Sequence, residues 1–142
     1  MSRKNAREVA MKLLYERQLA GEEQKETVAM LEQEFGLTDS DKKYLYDVLE
    51  GTKKYAQQIN DSISKYAKGW SIQRIAKVDL SILRLSMYEI MYRDDIPDEV
   101  SINEAVELAK KYGGEKSGSF INGILGSFVR DRKKDKAEEP ER

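Results

Sequence analysis

A chain of 142 residues, of which 39% are hydrophobic and 36% charged, fits one domain around a single core and is too apolar for wholesale disorder. It contains no cysteine and no histidine, which excludes disulfides and thiolate metal sites and removes the commonest catalytic acid–base residue. No apolar run approaches the roughly 18 residues needed to cross a bilayer, and the basic residues 1–7 are not followed by the apolar segment of a secretory signal, so we expect a cytoplasmic protein.

The first half of the chain shows apolar residues at helical spacing and no alternating strand pattern. A first helix should end at Gly21 and a short second helix at Gly36, because glycine terminates helices readily. Thr38 followed by Asp41 is typical of a helix start. The apolar spacing from there to residue 63 predicts one long helix or two consecutive ones, with Gly51 as the weak point.

The second half continues in the same way and completes an all-α bundle of about seven helices. Asp79 is expected to be an N-cap, and the following helix should stop before Pro97. Ser101 and Glu104 have the spacing of a capping box, which predicts another helix start. That helix should end at Gly113.

The last predicted helix contains Phe120 and Phe128, and the residues after it are almost wholly charged. We therefore expect one helical domain over residues 1–130 and a disordered charged tail over residues 131–142. No internal repeat and no linker divides the domain.

The net charge of −1 conceals three blocks of alternating sign. Residues 1–20 carry five basic and two acidic side chains, residues 22–50 three basic and nine acidic, and residues 51–77 six basic and one acidic. Such blocks indicate separate surfaces for partners of opposite charge, although ordinary solvated helix faces also produce them. Charge alone therefore leaves nucleic-acid binding open.

Catalysis is not expected. Without histidine or cysteine, no local pattern supports a nucleophile–base pair. The loop 113–118 superficially resembles a phosphate loop, but it lacks the spacing that places lysine after the second glycine, and no strand precedes it. The adjacent Asp94 and Asp95 are typical of a solvated turn. We predict a protein that is not an enzyme and needs no metal or cofactor.

Two patterns favour RNA instead. Arg3, Arg7 and Tyr15 follow one flank of the first helix, where arginine can bind phosphate and tyrosine can stack on a base. Packing of Tyr15 in the core is the competing interpretation. Phe120 follows two small residues at the start of the last helix, where a phosphate could bind and the ring could stack. Its spacing to Ile124 is also typical of a core residue.

Four segments, in order, resemble the motifs of the NusB family of antitermination factors. They are residues 3–15 (RKNAREVAMKLLY), 78–90 (VDLSILRLSMYEI), 96–113 (IPDEVSINEAVELAKKYG) and 117–125 (SGSFINGIL). The resemblance implies two helical subbundles that bind boxA-type single-stranded RNA together with ribosomal protein NusE. It further implies action on RNA polymerase elongating ribosomal RNA operons.

The resemblance also implies roles for individual residues. The RNA-binding residues would be Arg3, Lys4, Arg7, Tyr15 and Phe120, with Lys116 as an added candidate from the neighbouring loop. Asp79 would contact NusE, and the motif residues Asn122 and Gly123 would serve packing. Asn5 and Ala6 dilute the arginine run that family members often have, which predicts weaker RNA binding alone and dependence on NusE.

Three alternatives remain at this point. NusB-like domains also occur fused to RNA methyltransferases, but the helical bundle uses the whole chain and leaves no cofactor-binding α/β unit. A protein-only scaffold could bind a basic partner through the acidic residues 22–50. Homodimerisation that covers the RNA-binding face is also open.

Overall fold

A computed structural model describes residues 3–138, with side chains to residue 136, and confirms the all-α prediction. The α-helices of this part are α1 (Arg3–Ala20), α2 (Lys25–Glu34), α3 (Asp39–Lys54), α4 (Ala56–Tyr66), α5 (Lys77–Tyr92), α6 (Asp98–Tyr112) and α7 (Ser117–Glu138). A short 3-10 turn, Ile72–Arg74, precedes α5. No helix in the described residues is long and apolar enough to cross a membrane.

Helix α5 is the centre of the bundle. It packs against α1, α3, α4, α6 and α7. Eleven of its 16 residues are buried, four of them polar, because these helices cover most of its surface. Fully buried side chains of α5 and of four neighbouring helices form the core, among them Leu13, Leu45, Ile63, Leu83 and Ile121. Burial of these side chains is the main force that holds the bundle together.

A buried polar cluster, Arg7, Tyr44, Glu89 and Ser101, joins four of the helices. The Glu89 carboxylate accepts hydrogen bonds from Arg7 Nε at 2.8 Å, Arg7 Nη2 at 3.2 Å and Ser101 Oγ at 2.7 Å. The Tyr44 hydroxyl donates a further hydrogen bond to it. Each buried charge thereby has its partners, which is the condition for tolerating a charge in the core.

Several predicted helix boundaries are confirmed. Thr38 caps α3 in a capping box with Asp41, and the positive φ values of Gly21 (88°) and Gly36 (59°) follow the ends of α1 and α2. Gly51 does not break a helix, since α3 runs through it to Lys54. A side chain at position 51 would overlap the ring of Tyr88, so glycine allows close packing of α3 on α5.

Two predicted helix starts are wrong. Helix α5 begins at Lys77, so Asp79 is its third residue and not its N-cap. Helix α6 begins at Asp98, three residues before Ser101. The Ser101 hydroxyl contributes to the Glu89 cluster instead of capping the helix. Ser101 is drawn to Glu89, 12 positions earlier in the chain, and this contact is not visible in the local spacing.

The end of the chain also differs from the expected disordered tail. Helix α7 continues to Glu138, well past the predicted boundary at residue 130. The Tyr66 hydroxyl donates to Asp131 at 2.7 Å, and Arg132 donates to the carbonyl oxygen of Ile90 at 2.7 Å. These contacts with α4 and α5 anchor residues that composition alone assigns to solvent. Residues 139–142 lie outside the described part.

Candidate nucleic-acid interface

A groove lies where the 3-10 turn, the start of α5 and the start of α7 meet. Its volume is about 810 Å³, within the range of ligand-binding sites. We call it the aromatic groove; its main lining residues are Trp70, Arg74, Ile75, Asp79, Lys116 and Phe120. Three residues predicted as site residues, namely Asp79, Lys116 and Phe120, are thus brought together although they are up to 41 positions apart.

Two aromatic rings line the groove. The Trp70 and Phe120 rings meet edge to face, with centroids 6.1 Å apart and planes inclined by 69°. Trp70 is 52% exposed, and Phe120 is partly exposed. Phe120 also packs against the hydrophobic core, so each of the two interpretations of this residue holds in part. The exposed Trp70 ring and the partly exposed Phe120 ring offer planar faces for stacking beside the groove.

Trp70 was not singled out as a site residue from the sequence. It is the only tryptophan of the chain and directly follows Gly69, whose φ of 80° turns the backbone out of α4. A large aromatic residue in a connection between helices lies outside the apolar face that helical periodicity assigns to the core. That placement is the signal by which it could have been found.

Asp79 contributes an unsatisfied acceptor to the groove. The residue is 7% exposed, and its Oδ1 atom is buried without a hydrogen-bond partner among the described residues. Its position in the first turn of α5 favours the negative charge through the helix dipole. A buried acceptor that lacks a partner is costly, so a donor supplied by a bound molecule would relieve that cost.

Two cationic side chains line the groove. Lys116, in the loop before α7, and Arg74, in the 3-10 turn, are both exposed and line it. Within the part of the chain that the structure describes, neither side chain has a hydrogen-bond or ion-pair partner, so both can meet phosphate oxygens, and Arg74 can do so in bidentate fashion. Arg74, like Trp70, was missed because only the fold places the 3-10 turn beside α7.

Arg7, which was also predicted to contact RNA, is largely buried in the structure. Arg7 is 5% exposed and its guanidinium is held by Glu89 in the buried polar cluster. Burial by itself lowers the pKa of Arg7, but the hydrogen bonds and charge of Glu89 outweigh it and leave the pKa above its ordinary value. Two of the three guanidinium nitrogens of Arg7 are thus engaged by Glu89, which leaves Nη1 beside Glu104 at 3.9 Å.

Arg3 and Lys4 remain accessible at the start of α1. The Arg3 guanidinium lies 4.6 Å from the centroid of the Tyr44 ring and is partly exposed. Lys4 is exposed and pairs with Glu104 at 2.9 Å. A surface ion pair of this kind contributes roughly 0–1 kcal/mol, so a phosphate can compete for Lys4.

Tyr15 lies on the flank of α1 between Lys12 and Gln18 and is partly exposed. Lys12 Nζ is 4.5 Å from the centroid of the Tyr112 ring at the end of α6, and Gln18 donates to the carbonyl oxygen of Lys77 at 2.8 Å. Tyr112 and Lys77 are close in sequence to Gly114 and Ala76, which line the aromatic groove. The neighbours of Tyr15 on α1, including the unpredicted Lys12, therefore contact segments that adjoin the groove.

Comparison with known proteins identifies the family. The model of the NusB family matches residues 4–130, which is most of the chain. The chain belongs to the NusB family. A transcription antitermination protein NusB from Acetivibrio thermocellus is 49% identical over 130 residues, covering 92% of this chain and 90% of the relative.

Solved structures of NusB share the fold. The structure of T. maritima NusB is 34% identical with a TM-score of 0.81, and the match covers 92% of each chain. A crystal structure of the antitermination factors NusB and NusE in complex with dsRNA contains a chain that is 27% identical, with a TM-score of 0.80. That match covers 92% of this chain and 97% of the other.

Proposed function

We propose that this chain is a transcription antitermination factor that binds boxA-type single-stranded RNA together with ribosomal protein NusE. It acts in the cytoplasm, as a binding protein rather than an enzyme, on RNA polymerase that elongates ribosomal RNA operons. Membership of the NusB family supports the proposal, as does the crystal structure of a similar chain in complex with NusE and dsRNA.

The aromatic groove is the observation that carries the RNA part of the proposal. Trp70 and Phe120 would stack on unpaired bases, while Lys116 and Arg74 meet the neighbouring phosphates. Bases in a duplex are already stacked on each other and cannot reach these rings, so the groove favours single-stranded RNA. Tyr15, Arg3 and Lys4 would extend the RNA contact along α1.

Asp79 is the proposed contact with NusE. Its buried Oδ1 atom needs a donor that no described residue supplies. RNA is an unsuitable source of that donor wherever its phosphates come close, because like charges repel. A protein donor from NusE, at the edge of the RNA-binding groove, would satisfy Asp79 and cover the RNA at the same time.

We expect RNA affinity to depend on NusE, because few basic side chains are available to contact phosphate. Asn5 and Ala6 dilute the basic start, and the burial of Arg7 removes one more phosphate contact. Each phosphate contact adds about 0.7 to the slope of log affinity against log salt for a single strand. We therefore expect a shallow salt dependence for the chain alone and a large gain in affinity when NusE is present.

The test is a titration of fluorescent boxA RNA with the chain, with and without NusE, across a salt series. We expect Phe120→Ala to weaken binding by about 1–3 kcal/mol, the contribution of one base stack. Tyr46→Ala is the matched control, because Tyr46 is also exposed (48%) but lies on α3, where it bonds to Glu32. Equal losses for both variants, or no effect of NusE, would contradict the proposal.

Two further experiments test the NusE contact and the preference for single-stranded RNA separately. Asp79→Asn should weaken NusE binding without weakening RNA binding by the chain alone, because it removes a negative charge that repels the phosphates. The same RNA closed into a hairpin should bind more weakly than the open strand. RNA affinity that falls as protein concentration rises would indicate a homodimer that covers the groove.

A further inference from the structure

A second cavity lies on another side of α5, between α1, α3 and α4. Its volume is about 300 Å³, and its polar lining residues are Arg17, Thr52, Lys53, Asn60 and Arg84. We call it the arginine pocket. Arg84 is five residues after Asp79, which places the two side chains about 140° apart around α5. The arginine pocket is therefore separate from the aromatic groove.

Arg17 is held rigidly at one wall of the pocket. Its Nε donates to Glu23 at 3.0 Å, its Nη1 to Thr52 Oγ1 at 2.9 Å and its Nη2 to the carbonyl oxygen of Leu49 at 2.9 Å. Lys53 shares the same Glu23 carboxylate at 3.5 Å. One carboxylate therefore serves two cations, and this wall keeps an excess of positive charge.

Arg84 forms the opposite wall and lacks a counter-ion. Its Nε donates to Asn60 Oδ1 at 3.1 Å, and no carboxylate of the described residues pairs with it. Burial lowers the pKa of Arg84, and the positive charge of Arg17 lowers it further. The contrast with Arg7 and Arg93 is clear, since carboxylate partners raise the pKa of both.

We propose that the arginine pocket binds a phosphate group between Arg84 and Arg17. The terminal nitrogens of Arg84 supply a planar fork that matches phosphate oxygens, and the Asn60 amide and Lys53 can add donors. A dianion neutralises the excess charge of the lining. A cavity of about 300 Å³ is at the lower end of the range for small-molecule sites, so it fits one phosphate with a small attached group.

The first experiment measures the melting temperature of the full chain against increasing inorganic phosphate, with chloride at matched ionic strength as the reference. A ligand that binds only the folded state raises the melting temperature in a saturable way. We expect this rise with phosphate and not with chloride. Arg84→Gln should weaken phosphate binding about tenfold or more, because charge-assisted hydrogen bonds are lost. Arg130→Gln is the matched control, since Arg130 is exposed and bonds only to Ser127 among the described residues.

Asn60→Asp provides a variant that keeps the fold intact even if Arg84→Gln does not. The new carboxylate would pair with Arg84 and act as an internal counter-ion. We expect the ligand-free variant to be at least as stable as the parent chain and to lose its response to phosphate. An unchanged phosphate response in Asn60→Asp, or an equal rise with chloride in the parent chain, would overturn the proposal.

The same variant distinguishes the two sources of a phosphate group. If the group belongs to the RNA backbone, Asn60→Asp also weakens binding of boxA RNA, and excess inorganic phosphate competes with the RNA. If it belongs to a free ion or small phosphomonoester, RNA affinity is unchanged while glycerol phosphate still stabilises the parent chain. The phosphate-dependent changes in melting temperature do not depend on the aromatic groove. They can therefore be interpreted even if the RNA proposal fails.

Discussion

The buried polar cluster around Glu89 and the aromatic groove use polar residues in opposite ways. In the cluster, Arg7, Tyr44 and Ser101 all donate to one carboxylate, and water is excluded. In the groove, Asp79 keeps a buried acceptor without a partner among the described residues, and Trp70 exposes half of its surface. The comparison teaches that internal satisfaction marks residues that build the bundle, whereas an acceptor without a donor beside an open groove marks a residue that awaits a partner.

The largest effect should come from Glu89→Ala. Removing the carboxylate leaves Arg7 charged, buried and without its partner, which costs about 3–5 kcal/mol of unfolding free energy. Urea unfolding followed by circular dichroism measures this loss. Glu107→Ala is the control, because Glu107 forms an exposed pair with Lys110 and should change stability by less than about 0.5 kcal/mol. Similar losses of unfolding free energy for the two variants would show that the buried polar cluster contributes no more to stability than a surface ion pair.

Gly51→Ala should have the next largest effect on stability. Its Cβ would overlap the Tyr88 ring next to the buried cluster, and overpacking of this kind costs about 1–3 kcal/mol. The same urea titration detects it. A neutral result would show that α3 can move away from α5 without loss.

Trp70→Ala should separate binding from stability. The exposed ring contributes little to the core, so the unfolding midpoint should change only slightly, while affinity for boxA RNA should fall about tenfold from the loss of a stack. Fluorescence anisotropy with labelled RNA measures the affinity. A large loss of stability with unchanged RNA affinity would show that Trp70 stabilises the bundle and does not bind RNA.

Gly123→Ala should have the smallest effect, and in the opposite direction. A Cβ at position 123 meets nothing within 4 Å, so the packing role expected for this glycine is wrong in the free chain. Alanine in a helix interior should raise the unfolding free energy by about 0.5–1 kcal/mol. A simultaneous loss of RNA or NusE affinity would indicate that a partner approaches α7 closely at this point.

The residues of α1 show how far a sequence-based prediction reaches. Periodicity places Ala6, Val9 and Leu13 in the core correctly, because the 3.6-residue repeat is a local property. It also places Arg3 and Arg7 together on one basic flank. In the folded chain, however, Arg3 is partly exposed and Arg7 is buried. Arg7 turns inward because Glu89, 82 positions away, supplies a counter-charge that no local pattern reveals.

The groove shows the same division between local and distant information. Phe120 and Asp79 are identifiable from motifs, and Lys116 from its neighbourhood, but Trp70 and Arg74 join them only because α5 and α7 cross near the 3-10 turn. The arginine pocket is equally invisible in the sequence. Arg17 and Arg84 are 67 positions apart and belong to separate helices.

The sequence by itself determined the helical class, most helix ends and the family, since these depend on local periodicity, glycine positions and contiguous motifs. Tertiary structure decided which charged side chains are neutralised within the chain and which face a partner. The physical reason is that burial and counter-charge depend on residues brought together from distant parts of the chain. Arg7 and Arg84, both arginines on core helices, differ for this reason alone: Glu89 pairs with Arg7, and no described carboxylate pairs with Arg84.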